Sequence, residues 1–84
     1  MKLHYLICGF LLVFAGPIWS QNSAEQGHKA FQNLVYNDAI VCLEKAVEKG
    51  SDSALIFAEL GDSYYFNANY EASAKWYQLL FQKS

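Results

Sequence analysis

The sequence predicts an all-α fold: two helix–turn–helix repeats, four antiparallel helices in all, that begin an α-solenoid behind a cleavable amino-terminal segment. Three observations carry this reading. Residues 34 positions apart match in kind: Gly27 with Gly61, Tyr36 with Tyr70, Ala39 with Ser73, Leu43 with Tyr77, and Ala46 with Leu80. Five such pairs in one register mark an internal repeat. Apolar residues recur at helical spacing, and no stretch alternates with period two for long enough to make a strand. Capping and turn residues fall between the apolar runs.

The first element, residues 1–20, is MKLHYLICGFLLVFAGPIWS. Lys2 and His4 give a short positive end, Tyr5 to Ala15 an apolar run, and Gly16 and Pro17 a helix stop before the small residue Ser20. This three-part order is that of a secretory signal peptide, with the mature chain starting near Gln21. A retained membrane anchor competes with it. Spanning the hydrocarbon core takes about 20 apolar residues, and this run is shorter and halts at Pro17. Cys8 is no lipidation site, because the bulky Tyr5, Leu6 and Ile7 precede it.

Ser23-Ala24-Glu25-Gln26 has the form of a capping box and opens the first helix. Asn37 and Asp38 interrupt the pattern. Ala39, Ile40, Leu43, Ala46 and Val47 then trace the apolar face of a second helix, which Lys49-Gly50 ends. The lysine suits the negative helix terminus, and the glycine is free to take a left-handed cap. Ser51-Asp52-Ser53 caps a third helix running to about Phe66. Asn67-Ala68-Asn69 forms the next turn, and Asn69 caps a fourth helix to about Gln82. Glu25 with Lys29, and Glu71 with Lys75, are spaced as favourable i,i+4 pairs.

Composition removes several functions. With 84 residues the chain holds at most one small domain, and 54% apolar content is too rich for a disordered tail. Residues 21–84 carry five Lys against eight acids and no Arg, so no basic surface for nucleic acid is expected. Two cysteines, one of them in the apolar leader, make neither a disulfide framework nor a zinc site. His28 lacks companion ligands and reads as a solvated surface residue. Cys42 lacks a cationic neighbour to activate its thiol and reads as a small residue at the core edge. No phosphate loop, nucleophile–base pair or paired carboxylates stand out, so neither catalysis nor a metal or cofactor is expected.

The repeat resembles the tetratricopeptide repeat. In the second copy, about residues 52–82, the signature positions hold Phe57, Leu60, Gly61, Tyr64, Tyr70, Ser73, Tyr77 and Leu80. The first copy, about 23–50, keeps Gly27, Tyr36, Ala39, Leu43 and Ala46. Each glycine is expected to let the partner helix approach closely, with Ala39 and Ser73 doing the same from the other side. Tyr36 and Tyr70 are expected to wedge between helices. The resemblance implies a concave protein-binding face made by the first helix of each repeat, presenting His28, Phe31, Gln32, Leu55, Ala58, Asp62, Tyr65 and Phe66 to a peptide or protein. No Lys, Arg or Asn clamp for a carboxylate stands among these, so an apolar or aromatic contact is expected.

A leader, a degenerate repeat and then GDSYYFNANYEASAKWYQLLF is similar to the amino terminus of OmpA-family envelope proteins of Gram-negative bacteria. That resemblance implies export to the periplasm or outer membrane. It makes a docking or spacer segment of a larger peptidoglycan-associated protein the alternative to a free-standing interaction module. The last helix bears apolar residues almost to Ser84, so the domain, 21–84, reads as the front of something longer. Trp76, Leu79 and Phe81 are expected to face water there and to drive self-association.

Overall fold

The computed structural model describes residues 23–83, which form four helices and no strand. These are α1 (23–32), α2 (Tyr36–Glu48), α3 (Ala54–Phe66) and α4 (Tyr70–Lys83). The leader, 1–20, lies outside the described residues. No helix among them is long and apolar enough to cross a membrane.

Successive helices run antiparallel, and side chains tie their ends together. Lys49 at the end of α2 donates to Ser23 at the start of α1 (3.4 Å), and Lys83 at the end of α4 pairs with Asp52 before α3 (3.5 Å). Asn67 after α3 donates to Asn37 in the first turn of α2 (2.7 Å). The within-helix pairs expected of Glu25–Lys29 and Glu71–Lys75 do not form; the ion pairs among the described residues are His28–Glu59 and Lys83–Asp52.

Three helix ends share one hydrogen-bonding scheme. After α1, the Leu34 amide donates to Phe31 O and the Val35 amide to Ala30 O. After α2, Gly50 donates to Val47 O and Ser51 to Ala46 O. After α3, Ala68 donates to Tyr65 O and Asn69 to Tyr64 O. These are Schellman closures, whose penultimate residue must adopt positive φ. Gly50 does so at 106°, as expected of glycine, but Leu34 (65°) and Ala68 (63°) do so as L-residues. The first interhelical turn therefore lies at 33–35, ahead of the expected break. Asn37 and Asp38 are already in the first turn of α2. The αL conformation disfavours a side chain, and no glycine marked the spot. Ala68→Gly is accordingly expected to stabilise the protein by about 0.5–1 kcal/mol, seen as a higher melting temperature. An unchanged or lower one would show that the turn carries no strain.

Capping is sparser than the sequence suggests. Asn69 Oδ1 accepts from the Ala72 amide (3.3 Å), as expected for a cap of α4. Ser53 stands at the N-cap of α3 without a side-chain bond to the helix.

The core is a strip between α2 and α3: Ala39, Leu43, Ala46, Ile56 and Leu60, with Ala24, Ala30 and Phe31 of α1 and Trp76 of α4 packed around it. Both repeat glycines lie where helices touch. A Cβ on Gly27 would stand 2.6 Å from the Leu43 side chain, and one on Gly61 would stand 2.5 Å from the Tyr77 ring. Gly27 and Gly61, and likewise Leu43 and Tyr77, are 34 residues apart, so one packing device is used twice. Ser73, in the position of Ala39, is buried and donates to Gly61 O (2.7 Å). Phe57, Leu60 and Ala46 are buried as expected, and Tyr36, Tyr64, Tyr77 and Leu80 half-buried.

Two packing expectations need correction. Tyr70 is not wedged between helices but is 61% exposed, because only α3 lies beside α4 among the described residues. Trp76 does not face water. It lies three residues after Ser73 and four before Leu80, on the inward side of α4. There its ring packs on Phe57 with centroids 5.7 Å apart. Leu79 and Phe81 are exposed, as expected.

Candidate functional site

At the end of the molecule that carries the turns after α1 and α3, five aromatic rings form a continuous ridge. Its construction follows from the repeat. In each copy one ring closes the first helix and another opens the second, so the Schellman turn brings them edge to face. Phe31 meets Tyr36 with centroids 6.0 Å apart at 65°, and Tyr65 meets Tyr70 at 5.3 Å and 68°. Phe66 joins the two pairs, stacked on Tyr36 (5.0 Å, 27°) and edge-on to Tyr65 (5.8 Å, 82°). The Asn67–Asn37 bond locks the two turns in this relation.

The ridge is open to solvent along Tyr65, Phe66 and Tyr70, each more than half exposed, and continues into exposed Leu34 and Val35. Offset and edge-to-face rings hold one another in place, so a partner meets a surface whose side chains are already ordered. The acidic residues in the first turns of α2 and α4 beside it, Asp38 and Glu71, favour a partner that is neutral or basic.

Of the eight residues expected on a binding face, Phe31, Tyr65 and Phe66 come together here. Gln32 is exposed on α1, and Ala58 is half-buried. Leu55 is exposed but sits at the opposite end of α3. The other two serve the fold. Asp62 accepts the Tyr77 hydroxyl. His28 is no free surface histidine: its Nδ1 lies 2.5 Å from Oε2 of Glu59, a carboxylate that is 4% exposed. Oε1 of Glu59 and the Ser63 hydroxyl one turn on are also buried, with no hydrogen-bond partner among the described residues.

The sequence reading missed Glu59. The signal was present, since Glu59 sits beside Leu60, three after Ile56 and four before Ser63, all on the buried side of α3. Half-buried Tyr36 both packs between helices and belongs to the ridge, whereas exposed Tyr70 belongs to the ridge alone.

Two tyrosines hold carboxylates at the helix interfaces. Tyr64 donates to Oε2 of Glu44 on α2 (2.5 Å), and Tyr77 to Asp62 on α3. Burial first, then the hydrogen bond to the carboxylate and its charge, push each phenol up to about 12. Both therefore remain protonated donors at any physiological pH. Cys42 is half-buried, and no group of three or more His, Cys, Asp or Glu among the described residues is placed to hold a metal. Comparison with known families, curated proteins and solved structures finds no match.

Proposed function

We propose that the chain is an exported, non-catalytic interaction module of the cell envelope, built from two tetratricopeptide-like repeats, that holds a peptide or protein against the aromatic ridge. The recurrence of the turn hydrogen bonds and of the glycine contacts with a shift of 34 residues supports the repeat reading. The ordered, exposed row Tyr65–Phe66–Tyr70 carries the binding reading. Aromatic side chains supply large contact area at little entropic cost, which is why they dominate binding hot spots. The ridge suits a partner segment with apolar or aromatic anchors and a neutral or basic flank. Export rests on the order of charge, apolar run and small residue in the leader.

In-cell photocrosslinking tests this. A photoreactive phenylalanine at position 66 is expected to give, in the envelope fraction, an adduct with a different protein that Tyr65→Ala weakens. The same probe at Lys45, exposed on α2 away from the ridge, is expected to give none. Equal adducts from both positions, or none from 66, would overturn the reading.

A further inference from the structure

With the aromatic ridge taken as the docking site proposed above, the charges around it decide which partner fits. The two turns that bear the ridge, 33–38 and 66–71, hold two charged residues, Asp38 and Glu71, and no cation. One carboxylate falls in each repeat, two residues after Tyr36 and one after Tyr70, and both are exposed. Neither has an ion-pair partner among the described residues, and Glu71 stays unpaired although Lys75 stands one turn further along α4. Lys49 and Lys83 are bonded to Ser23 and Asp52 at the other end of the molecule.

A purely apolar partner laid on the ridge would strip water from Asp38 and Glu71 and give them nothing in return, which is costly. An acidic partner would be repelled. A partner segment that carries cations meets both carboxylates.

The rings choose among cations. Tyr65 stands close to a right angle with both Phe66 (82°) and Tyr70 (68°), and all three are more than half exposed. Each pair forms a corner, the face of one ring beside the edge of the other. A guanidinium is flat and weakly hydrated, so it stacks on a ring face and still points N–H donors at a carboxylate in its own plane. An ammonium is a strongly hydrated point charge and gains less there. The chain has no arginine, so a second copy cannot supply the guanidinium.

We propose that the ridge takes an arginine-bearing segment of a different protein. An arginine stacks in the corner of Tyr65, Phe66 and Tyr70 and pairs with Glu71, and a further basic residue of the same segment meets Asp38.

The test follows the ring signals of Tyr65, Phe66 and Tyr70 by nuclear magnetic resonance, in the chain expressed in full and purified as the cell processes it. Three tripeptides blocked at both ends serve as probes: Arg-Phe-Arg, the same peptide with citrulline for both arginines, and the same with lysine. The arginine probe is expected to shift all three rings. Citrulline, flat but uncharged, should bind about tenfold more weakly, and lysine about threefold. Glu71→Gln, at an exposed position, should keep the helical circular dichroism and weaken the arginine probe about threefold. Glu48→Gln, at the far end of α2, should bind it like the parent. Citrulline or lysine binding as well as arginine would overturn the proposal, as would ring signals that no probe moves or an affinity indifferent to Glu71→Gln. Any of these together with a crosslink from position 66 defeats the arginine assignment alone, whereas loss of that crosslink defeats the ridge as a docking site.

Discussion

Gly27→Leu is expected to destabilise the protein by about 2 kcal/mol, and more than the equivalent change at Gly61. A Cβ at residue 27 already stands 2.6 Å from Cγ and Cδ2 of Leu43 and 3.1 Å from its backbone nitrogen. Leu43 is completely buried and has nowhere to move. Relief would require α1 and α2 to separate, opening the end of the core where Ala24 and Ala30 pack. Overpacking costs typically 1–3 kcal/mol, and the better helix propensity of leucine returns only about 1 kcal/mol. At residue 61 the obstruction is the ring of Tyr77, which is half-buried and can swing outward at the loss of its bond to Asp62. Gly61→Leu should therefore cost about 1 kcal/mol or less. A domain of this size is stable by only about 3–9 kcal/mol in all, so the first variant loses a substantial part of that margin and the second little of it. Chemical denaturation of both, with Gly27→Ala as a milder step, decides it. If Gly27→Leu melted like the parent, the close contact of α1 with α2 would be refuted.

The second large effect lies at the buried carboxylate. His28→Ala removes the hydrogen-bond partner of Glu59 and leaves a carboxylate in the core without compensation. Breaking a buried pair in this way costs about 3–5 kcal/mol. The His28 side chain is 43% exposed, so water can partly replace it and about 2 kcal/mol is expected. Glu59→Leu should behave in the opposite sense, neutral to stabilising, because it removes the charge that needs a partner along with two buried oxygens, one of them unsatisfied. His28→Ala added to Glu59→Leu should then cost almost nothing. Denaturation midpoints of the two single variants and the double variant form a complete cycle. Equal losses from His28→Ala in both backgrounds would show that the histidine acts through its own packing and not through Glu59.

The sequence by itself determined the number of helices, most of their boundaries and the spacing that makes the second half echo the first. It could do so because these depend on local chemistry: apolar residues at helical period, Gly50 in the left-handed cap, Asn69 at the start of α4. It also placed Gly27, Gly61, Ala39 and Ser73 at contacts between helices, since only a residue with little or no side chain allows close approach there, and Leu43 among the apolar residues that fill the core. What it did not determine depends on which side of a helix finds a neighbour. Leu34 and Ala68 take a conformation their residue types disfavour because the hydrogen bonds of the turn require it. Trp76 turns inward and Tyr70 stays out, although both are aromatic residues of one helix, because α3 covers one side of α4 and nothing described covers the other. His28 and Glu59 are 31 residues apart and show no shared motif, and only the packing of α1 on α3 makes them a pair. The aromatic ridge has the same origin. Its rings are scattered between Phe31 and Tyr70 along the chain, and they become one surface because two like turns are stacked side by side.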